Sequence, residues 1–80
     1  MDDTELRSQL TLIFRTIFSD ENLEIRDEMT ADDVAKWDSL SHINLILAVE
    51  KGFNIRLTTR EVRSMKNVGD FVALIKQKAA

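Results

Sequence analysis

Apolar residues recur every three or four positions along the first part of the chain, as they do on one face of an α-helix. These positions are Leu6, Leu10, Ile13, Phe14 and Ile17. The spacing predicts a helix from about Asp3 to Phe18. Asp2 and Glu5 stand at its start as a capping pair, in which side-chain oxygens accept hydrogen bonds from free backbone N–H groups.

The following segment, residues 19–38, keeps no such period. It contains more apolar side chains than a free linker would, namely Leu23, Ile25, Met29, Val34 and Trp37. Unfolded linkers are poor in apolar residues, whereas apolar residues in a loop gain free energy by packing against a core. We therefore expect a long loop that is held against the core, with a helical turn near Thr30 to Val34.

A second helix is predicted from about Ser39 to Lys51, and Gly52 is expected to end it in the left-handed conformation. This helix has two apolar stripes. The stripe expected to face the core consists of Leu45, Ile46, Val49 and the following Phe53. The other stripe consists of Leu40, Ile43 and Leu47. Because one face is enough to join a helix to a core, we expect the second stripe to stay at least partly exposed.

The remainder of the chain predicts an extended segment and two further helices. Apolar and polar residues alternate just after helix two, at Phe53, Ile55 and Leu57. No second strand is predicted to pair with this segment, so we expect an extended connection. Thr58 and Glu61 match a capping box that opens a short helix, and Asn67 with Asp70 can cap a last one. The predicted fold class is all-α: a small bundle of three longer helices and one short helix, with a long loop between helices one and two.

The composition describes one small soluble domain, residues 1–80. With 80 residues, of which 44% are apolar and 31% charged, the chain can bury one core and has no room for a deep catalytic cleft. Since it contains no cysteine, a disulfide framework, a thiolate metal site and a cysteine nucleophile are excluded. The first residues are acidic, unlike a secretory signal, and no apolar run approaches the roughly 18 residues of a membrane-spanning helix. We expect a cytoplasmic protein that binds no membrane.

The charged residues are unevenly divided along the chain. Residues 1–40 carry eleven acidic and four basic side chains, a net charge of −7, and residues 41–80 carry three acidic and seven basic ones, a net charge of +4. Such a division lets different faces attract different partners. The acids of residues 19–38 do not follow the spacing of a calcium-binding loop, so no metal site is predicted. The overall charge of −3 argues against a nucleic-acid partner.

Three short motifs follow one another along the chain. They are Asp38-Ser39-Leu40 before an apolar helix, Leu47-Ala48-Val49-Glu50 with Phe53, and Val68-Gly69-Asp70 at the start of the last helix. In order and spacing they resemble the acyl carrier proteins, and the resemblance covers essentially the whole chain. It implies that Ser39 is esterified by a 4′-phosphopantetheine arm, which a separate phosphopantetheinyl transferase donates from coenzyme A and whose thiol carries cargo as a thioester. It also implies that the modifying enzyme recognises Asp38 and that Leu40 contacts the arm and the docking enzyme.

The chemistry of the Ser39 hydroxyl agrees with this role. A serine hydroxyl is a weak nucleophile without an organised base. The single histidine, His42, lies near the same helix start, where the helix dipole disfavours its protonation, and we expect it to be partly covered and hydrogen-bonded. Trp37 is expected to anchor the loop against the core. Ser39 is therefore predicted to be modified by another enzyme, at a helix end that favours an anion, and the chain is not expected to be an enzyme itself.

The charge pattern departs from that of carriers in fatty acid synthesis, which usually interleave acids along helix two. Here the first acid of helix two is Glu50, and the region of the short helix is basic, through Arg56, Arg60, Arg63 and Lys66. This departure favours dedicated acyl-loading and acyl-using enzymes of a specialised acyl or polyketide pathway over bulk fatty acid synthesis. The predicted docking residues are Leu40, Ile43, Leu47 and Glu50.

Two alternatives stay open beside an acyl carrier that acts as a monomer. The first is an aminoacyl or peptidyl carrier. Peptidyl carriers more often place glycines ahead of their serine, where this chain has Lys36 and Trp37. The second is a small helical interaction domain without a prosthetic group, which would use its basic residues to bind an acidic partner.

Overall fold

Four α-helices and one 3-10 turn form the protein in a computed structural model, which describes residues 2–34 and 36–79. The elements are α1 (Asp3–Ile17), a 3-10 turn (Ala31–Asp33), α2 (Ser39–Phe53), α3 (Thr59–Ser64) and α4 (Val68–Ala79). No strand occurs in the part of the chain described. The predicted all-α bundle of three longer helices and one short helix, with a long connection between α1 and α2, is confirmed.

The core is built from one apolar face of each long helix. Its most deeply buried side chains include Leu6, Leu10 and Phe14 of α1, Leu45 and Val49 of α2, and Val68, Phe71 and Ile75 of α4. The predicted core-facing stripe of α2 is confirmed, since all four of its residues are buried. The helix α1 packs against both α2 and α4, so it forms the centre of the bundle.

The connection between α1 and α2 is held against the core, as its apolar residues predict. Met29 and Val34 are buried. The backbone N–H groups of Val68 and Gly69 donate to the carbonyl oxygens of Met29 and Asp27, each at 2.9 Å, and so join the loop to the start of α4. A Cβ atom at Gly69 would lie 3.2 Å from the Asp27 oxygen. Glycine at this position therefore permits the close approach of the two segments.

The end of α2 differs from the prediction. The helix does not stop at Gly52 but continues to Phe53, which is buried, and the left-handed residue is Asn54, with φ 54° and ψ 51°. Asparagine is one of the few residues that tolerate this conformation. The role of Gly52 is different. A Cβ atom there would meet Cδ1 of Ile13 at 3.2 Å, so glycine lets α1 and α2 lie close together.

The predicted helix starts are confirmed by their hydrogen bonds. Each capping side chain accepts a bond from the backbone N–H three residues later, at 2.8 to 3.1 Å; these side chains are Asp2, Thr58 and Asn67. At α3 the capping box is complete, because Oε1 of Glu61 also accepts a hydrogen bond from the backbone N–H of Thr58 at 2.9 Å. Between α2 and α3 the described chain forms no strand, as expected, and Ile55 within this connection is buried.

Ion pairs join α1, the loop and α4 on the protein surface. Nη1 of Arg7 lies 2.6 Å from Oδ1 of Asp27, and Asp3 lies 2.7 Å from Nε of Arg7 and 2.5 Å from Nζ of Lys76. Hydrogen bonds from Lys76 and then Arg7 hold the pKa of Asp3 below its ordinary value. The bond from Arg7 does the same for the pKa of Asp27. Both carboxylates are therefore better stabilised in the folded than in the unfolded chain.

Folding stability is expected to fall in acid as Asp3 and Asp27 are protonated. Because their native pKa values are depressed, their contribution is present above the ordinary aspartate pKa of about 3.9 and is lost as the pH falls through the native pKa. The midpoint of urea unfolding, followed by circular dichroism, should drop between about pH 7 and about pH 3. The Asp27→Asn variant should lose less stability over this pH range than the wild type. An equal loss in both proteins would show that protonation of Asp27 does not contribute to the fall.

Candidate functional site

Ser39 is the first residue of α2, and it is exposed. The residue before it, Asp38, is the N-cap, and its Oδ1 accepts the backbone N–H of Ser41 at 2.8 Å. This hydrogen bond also lowers the pKa of the Asp38 carboxyl. Because Asp38 caps the helix, the Ser39 hydroxyl is not required as a cap and is accessible at the helix start.

The turn that precedes α2 is fixed by buried and hydrogen-bonded side chains. Trp37 is half-buried, and its ring lies edge-on to that of Phe14 with 5.4 Å between centroids, an arrangement that aromatic pairs favour. Its Nε1–H donates to Nδ1 of His42 at 3.1 Å. The Ser41 hydroxyl donates to the carbonyl oxygen of Lys36 at 2.8 Å. Trp37 thus anchors the loop, as predicted, whereas the bond made by Ser41 was not predicted from the sequence.

His42 is partly covered and hydrogen-bonded, as predicted from its position on α2. Since Nδ1 accepts the indole N–H of Trp37, the neutral ring carries its proton on Nε2. Burial lowers the pKa of His42 below its ordinary value, which keeps the ring neutral at pH 7. The basic nitrogen is therefore occupied by Trp37 and is not free to activate Ser39.

The second apolar stripe of α2 lies on the protein surface. Leu40, Ile43 and Leu47 are 68%, 57% and 54% exposed, while Leu45 and Val49 on the opposite face are fully buried. The prediction that the two stripes are separated is confirmed. Exposed apolar residues that share one helix face form a surface suited to a protein partner or to an apolar ligand.

Glu50 lies farther along α2, about 16 Å from Ser39 at 1.5 Å per residue. It is half-buried, and its Oε2 accepts the backbone N–H of Leu57 at 2.9 Å, which ties the helix to the extended connection. One carboxylate oxygen of this acid is therefore used within the fold. The spacing of the sequence could not reveal this bond, because it depends on how the chain turns after Asn54.

Two neighbouring hollows open beside Ser39. The first, which we call the serine groove, has a volume of about 770 Å³ and is lined by Ser39, Trp37, Ile43 and Arg63, among others. The second, which we call the apolar cleft, has about 340 Å³ and lies between α2 and the segment 57–63. His42, Ile43 and Arg63 line both. The two hollows therefore adjoin each other along these three residues.

The basic residues expected around the short helix are at the surface. Arg56, Arg60, Arg63 and Lys66 are exposed, and none of them forms an ion pair within residues 2–34 and 36–79. The acid of α3, Glu61, pairs instead with Lys78 of α4 at 2.7 Å. Because Glu61 faces α4, it leaves the basic side chains of α3 uncompensated, and their charge adds to the surface beside the apolar cleft.

The surroundings of Ser39 fit the phosphopantetheine arm that the resemblance implies. The serine groove is within the range of volumes that hold a drug-sized ligand. Trp37 and Ile43 offer apolar contacts to a flexible chain, and Arg63 offers a cation to an anionic group. The exposed hydroxyl of Ser39 stands at the N-terminus of α2, where backbone N–H groups stabilise negative charge.

Other classes of site find no support among the described residues. No group of three acidic or histidine side chains there is arranged to hold a metal ion. In the same part of the chain, no helix has the length and apolar character needed to cross a bilayer.

Comparisons with known proteins identify the family. No family model matches the chain. The acyl carrier protein of Acidothermus cellulolyticus is 30% identical over 71 residues, which cover 89% of this chain and 84% of that protein. The solution NMR structure of the holo acyl carrier protein from Geobacter metallireducens superposes with a TM-score of 0.85 and 40% identity, covering 90% of this chain and 83% of that one. The chain therefore belongs to the acyl carrier protein family, whose members are non-catalytic carriers.

Proposed function

We propose that this chain carries an acyl group as a thioester on a 4′-phosphopantetheine arm attached to Ser39. The observation that carries the proposal is the position of Ser39, an exposed residue at the start of α2, relieved of capping by Asp38 and lining the serine groove. When bound, the arm supplies the thiol that forms the thioester. The residues of the chain itself hold the attachment point and surround the arm.

Each residue of the motif Asp38-Ser39-Leu40 has its own role in this proposal. Ser39 provides the oxygen that is joined to the phosphodiester, whose charge is stabilised by the free N–H groups at the start of α2. Asp38 caps the helix and presents an ionised carboxylate to the modifying transferase, since the Ser41 N–H lowers its pKa. Leu40, exposed beside Ser39, contacts the arm and the docking enzyme. A separate transferase attaches the arm in this proposal, and among the described residues the nearby His42 already uses its basic nitrogen to accept the Trp37 N–H.

An acyl cargo suits the surroundings better than an aminoacyl cargo. The apolar cleft is lined mainly by aliphatic side chains, which include Ile46, Leu57 and Val62. Moving an aliphatic chain from water into such surroundings gains about 0.8 kcal/mol per methylene group. A charged amino group would lose its hydration there without gaining a partner. We therefore rank an aminoacyl or peptidyl carrier second.

Mass spectrometry tests the attachment of the arm. After incubation with coenzyme A and a phosphopantetheinyl transferase of broad specificity, the chain is expected to gain the mass of one phosphopantetheine. An unchanged mass would refute the carrier function for this chain and would favour a helical interaction domain without a prosthetic group. The mass of the native protein with its cargo then identifies the acyl group.

We further propose that the carrier is a cytoplasmic monomer that serves dedicated acyl-loading and acyl-using enzymes in a specialised acyl or polyketide pathway. Between Ser39 and Glu50, the surface of α2 offers no acid to a partner, and Glu50 itself accepts a bond from Leu57. A partner that recognises acids along this helix would instead find Leu40, Ile43 and Leu47. Docking at this face is therefore expected to depend on apolar contact.

Replacing Ile43 with aspartate tests the docking face. Because an apolar residue near the centre of an interface contributes on the order of 2 kcal/mol, we expect kcat/KM for acylation of the holo protein by its loading enzyme to fall about 10- to 30-fold. Ile43 is 57% exposed, so the fold should be retained, as circular dichroism would verify.

Leu12 provides the matched control for this variant. It is 61% exposed on α1, and Leu12→Asp makes the same kind of change outside the docking face. This control should be acylated at the wild-type rate. Unaltered acylation of Ile43→Asp, or equal losses in both variants, would count against Ile43 as a docking residue.

A further inference from the structure

Arg63 reaches the serine groove from α3. It is the single cationic side chain among the described residues that line this groove, in which the other charged side chain is Asp38. Arg63 also lines the apolar cleft, together with His42 and Ile43. A positive charge is therefore located where the two hollows meet, on the helix that faces the start of α2 across the serine groove.

No acid in the described part of the chain forms an ion pair with this guanidinium. The acids nearest to Arg63, either in the sequence or among the residues of the groove, accept hydrogen bonds from other groups. Glu61 pairs with Lys78 at 2.7 Å and accepts the backbone N–H of Thr58. Asp38 accepts the backbone N–H of Ser41 at 2.8 Å. The remaining titratable side chain of the groove, His42, is held neutral by burial. Arg63 is thus exposed, charged and available to an anion that enters the groove.

We propose that Arg63 binds the phosphodiester of the arm on Ser39 and so holds the arm against the side of the groove that adjoins the apolar cleft. The inference rests on the proposed function, because Ser39 must first be modified. A phosphodiester keeps its negative charge at neutral pH, and the guanidinium group is suited to it, since its parallel N–H groups can donate to two phosphate oxygens at once. The backbone N–H groups at the start of α2 and Arg63 then stabilise the same anion from two helices.

The strength of this contact follows from its exposure to solvent. An ion pair at the surface changes an equilibrium constant by roughly two- to fivefold at low salt and is weakened when salt is added. Arg63 therefore shifts the arm toward the groove and does not lock it there. The arm stays able to leave, which a carrier needs when it delivers its cargo to a partner enzyme.

Nuclear magnetic resonance of the apo and holo forms tests the proposal. When phosphopantetheine is attached, the Nε–Hε resonance of Arg63 is expected to shift clearly, and the shift should shrink as salt is raised to about 1 M, where the screening length is about 3 Å. Arg60 is the internal control. It is exposed on the same short helix but is not among the residues that line either hollow, so its Nε–Hε resonance should stay in place.

Two variants provide the second measurement. In Arg63→Gln holo protein, labelled pantetheine should show faster local motion in relaxation experiments, with the arm in the groove roughly two- to fivefold less often, whereas Arg60→Gln should match the wild type. A chain that accepts no phosphopantetheine would overturn the proposed function and this inference together. A chain that accepts it but shows equal responses at Arg63 and Arg60 would overturn this inference alone.

Discussion

Replacing Ser39 with alanine is expected to abolish the attachment of phosphopantetheine completely. In the proposed function the hydroxyl oxygen of Ser39 forms the phosphodiester bond, whereas the nearest serine hydroxyl in the sequence, that of Ser41, donates to the carbonyl oxygen of Lys36. The variant should fold normally, since the exposed Ser39 side chain does not cap the helix. Intact-protein mass spectrometry after incubation with coenzyme A and the transferase is the measurement.

Ser41 offers a matched control for this experiment. It lies two residues farther along α2, and its hydroxyl donates to the carbonyl oxygen of Lys36 at 2.8 Å. The Ser41→Ala variant loses that bond, at a cost of about 1 kcal/mol, and keeps the proposed attachment point. It should therefore gain the full mass of one phosphopantetheine. Modification of Ser39→Ala, or loss of modification in a folded Ser41→Ala, would assign the attachment to Ser41.

Replacing Phe14 with alanine is expected to have the largest effect on folding. Its ring is fully buried and lies 5.4, 5.8 and 6.4 Å, between centroids, from the rings of Trp37, Phe18 and Phe71. Truncation of a buried phenylalanine costs about 3 to 5 kcal/mol. A domain of this size has roughly 4 to 12 kcal/mol of stability in total. The variant should therefore lose about a quarter or more of its stability, and urea denaturation followed by circular dichroism measures the loss.

Leu12→Ala is the control for the loss of folding stability expected in Phe14→Ala. Leu12 lies on the same helix but is 61% exposed, so its truncation should change stability by no more than about 0.5 kcal/mol. Truncation of Phe14 should also disturb the packing of Trp37, which contacts Phe14 and directly precedes Asp38 and Ser39 of the candidate site. A Phe14→Ala protein as stable as Leu12→Ala would show that the aromatic cluster does not hold the bundle together.

The helices and their caps were predictable because they depend on neighbours in sequence. Thr58 and Glu61 form their capping box through hydrogen bonds between residues three positions apart. The helical spacing of the apolar residues places Leu45 and Val49 on the core side of α2. Ser39 was predicted as the attachment point from its flanking residues together with the resemblance of three successive motifs to the acyl carrier proteins. Such features follow from spacing, whatever the rest of the fold does.

The end of α2 was predicted less well, because it is decided by packing. Gly52 has the chemistry of a helix stop, but Ile13 of α1 approaches it closely, and the helix continues for one residue, which buries Phe53. The left-handed conformation passes to Asn54. Local preference and tertiary contact both act on a helix end, and here burial of the aromatic side chain outweighs the preference of glycine.

Sequence by itself determined the all-α fold, the helix starts, the division of α2 into a buried and an exposed stripe, and Ser39 as the candidate attachment point. The helix starts and the two stripes depend on residues within a few positions of one another, whereas the assignment of Ser39 also used the order and spacing of three motifs along the chain. Only the tertiary structure placed Arg63 of α3 in the same groove as Ser39, set the apolar cleft beside that groove, and directed one oxygen of Glu50 to the backbone of Leu57. The physical reason is that these relations depend on how α3 and the connection before it pack against α2, and no local spacing specifies that arrangement.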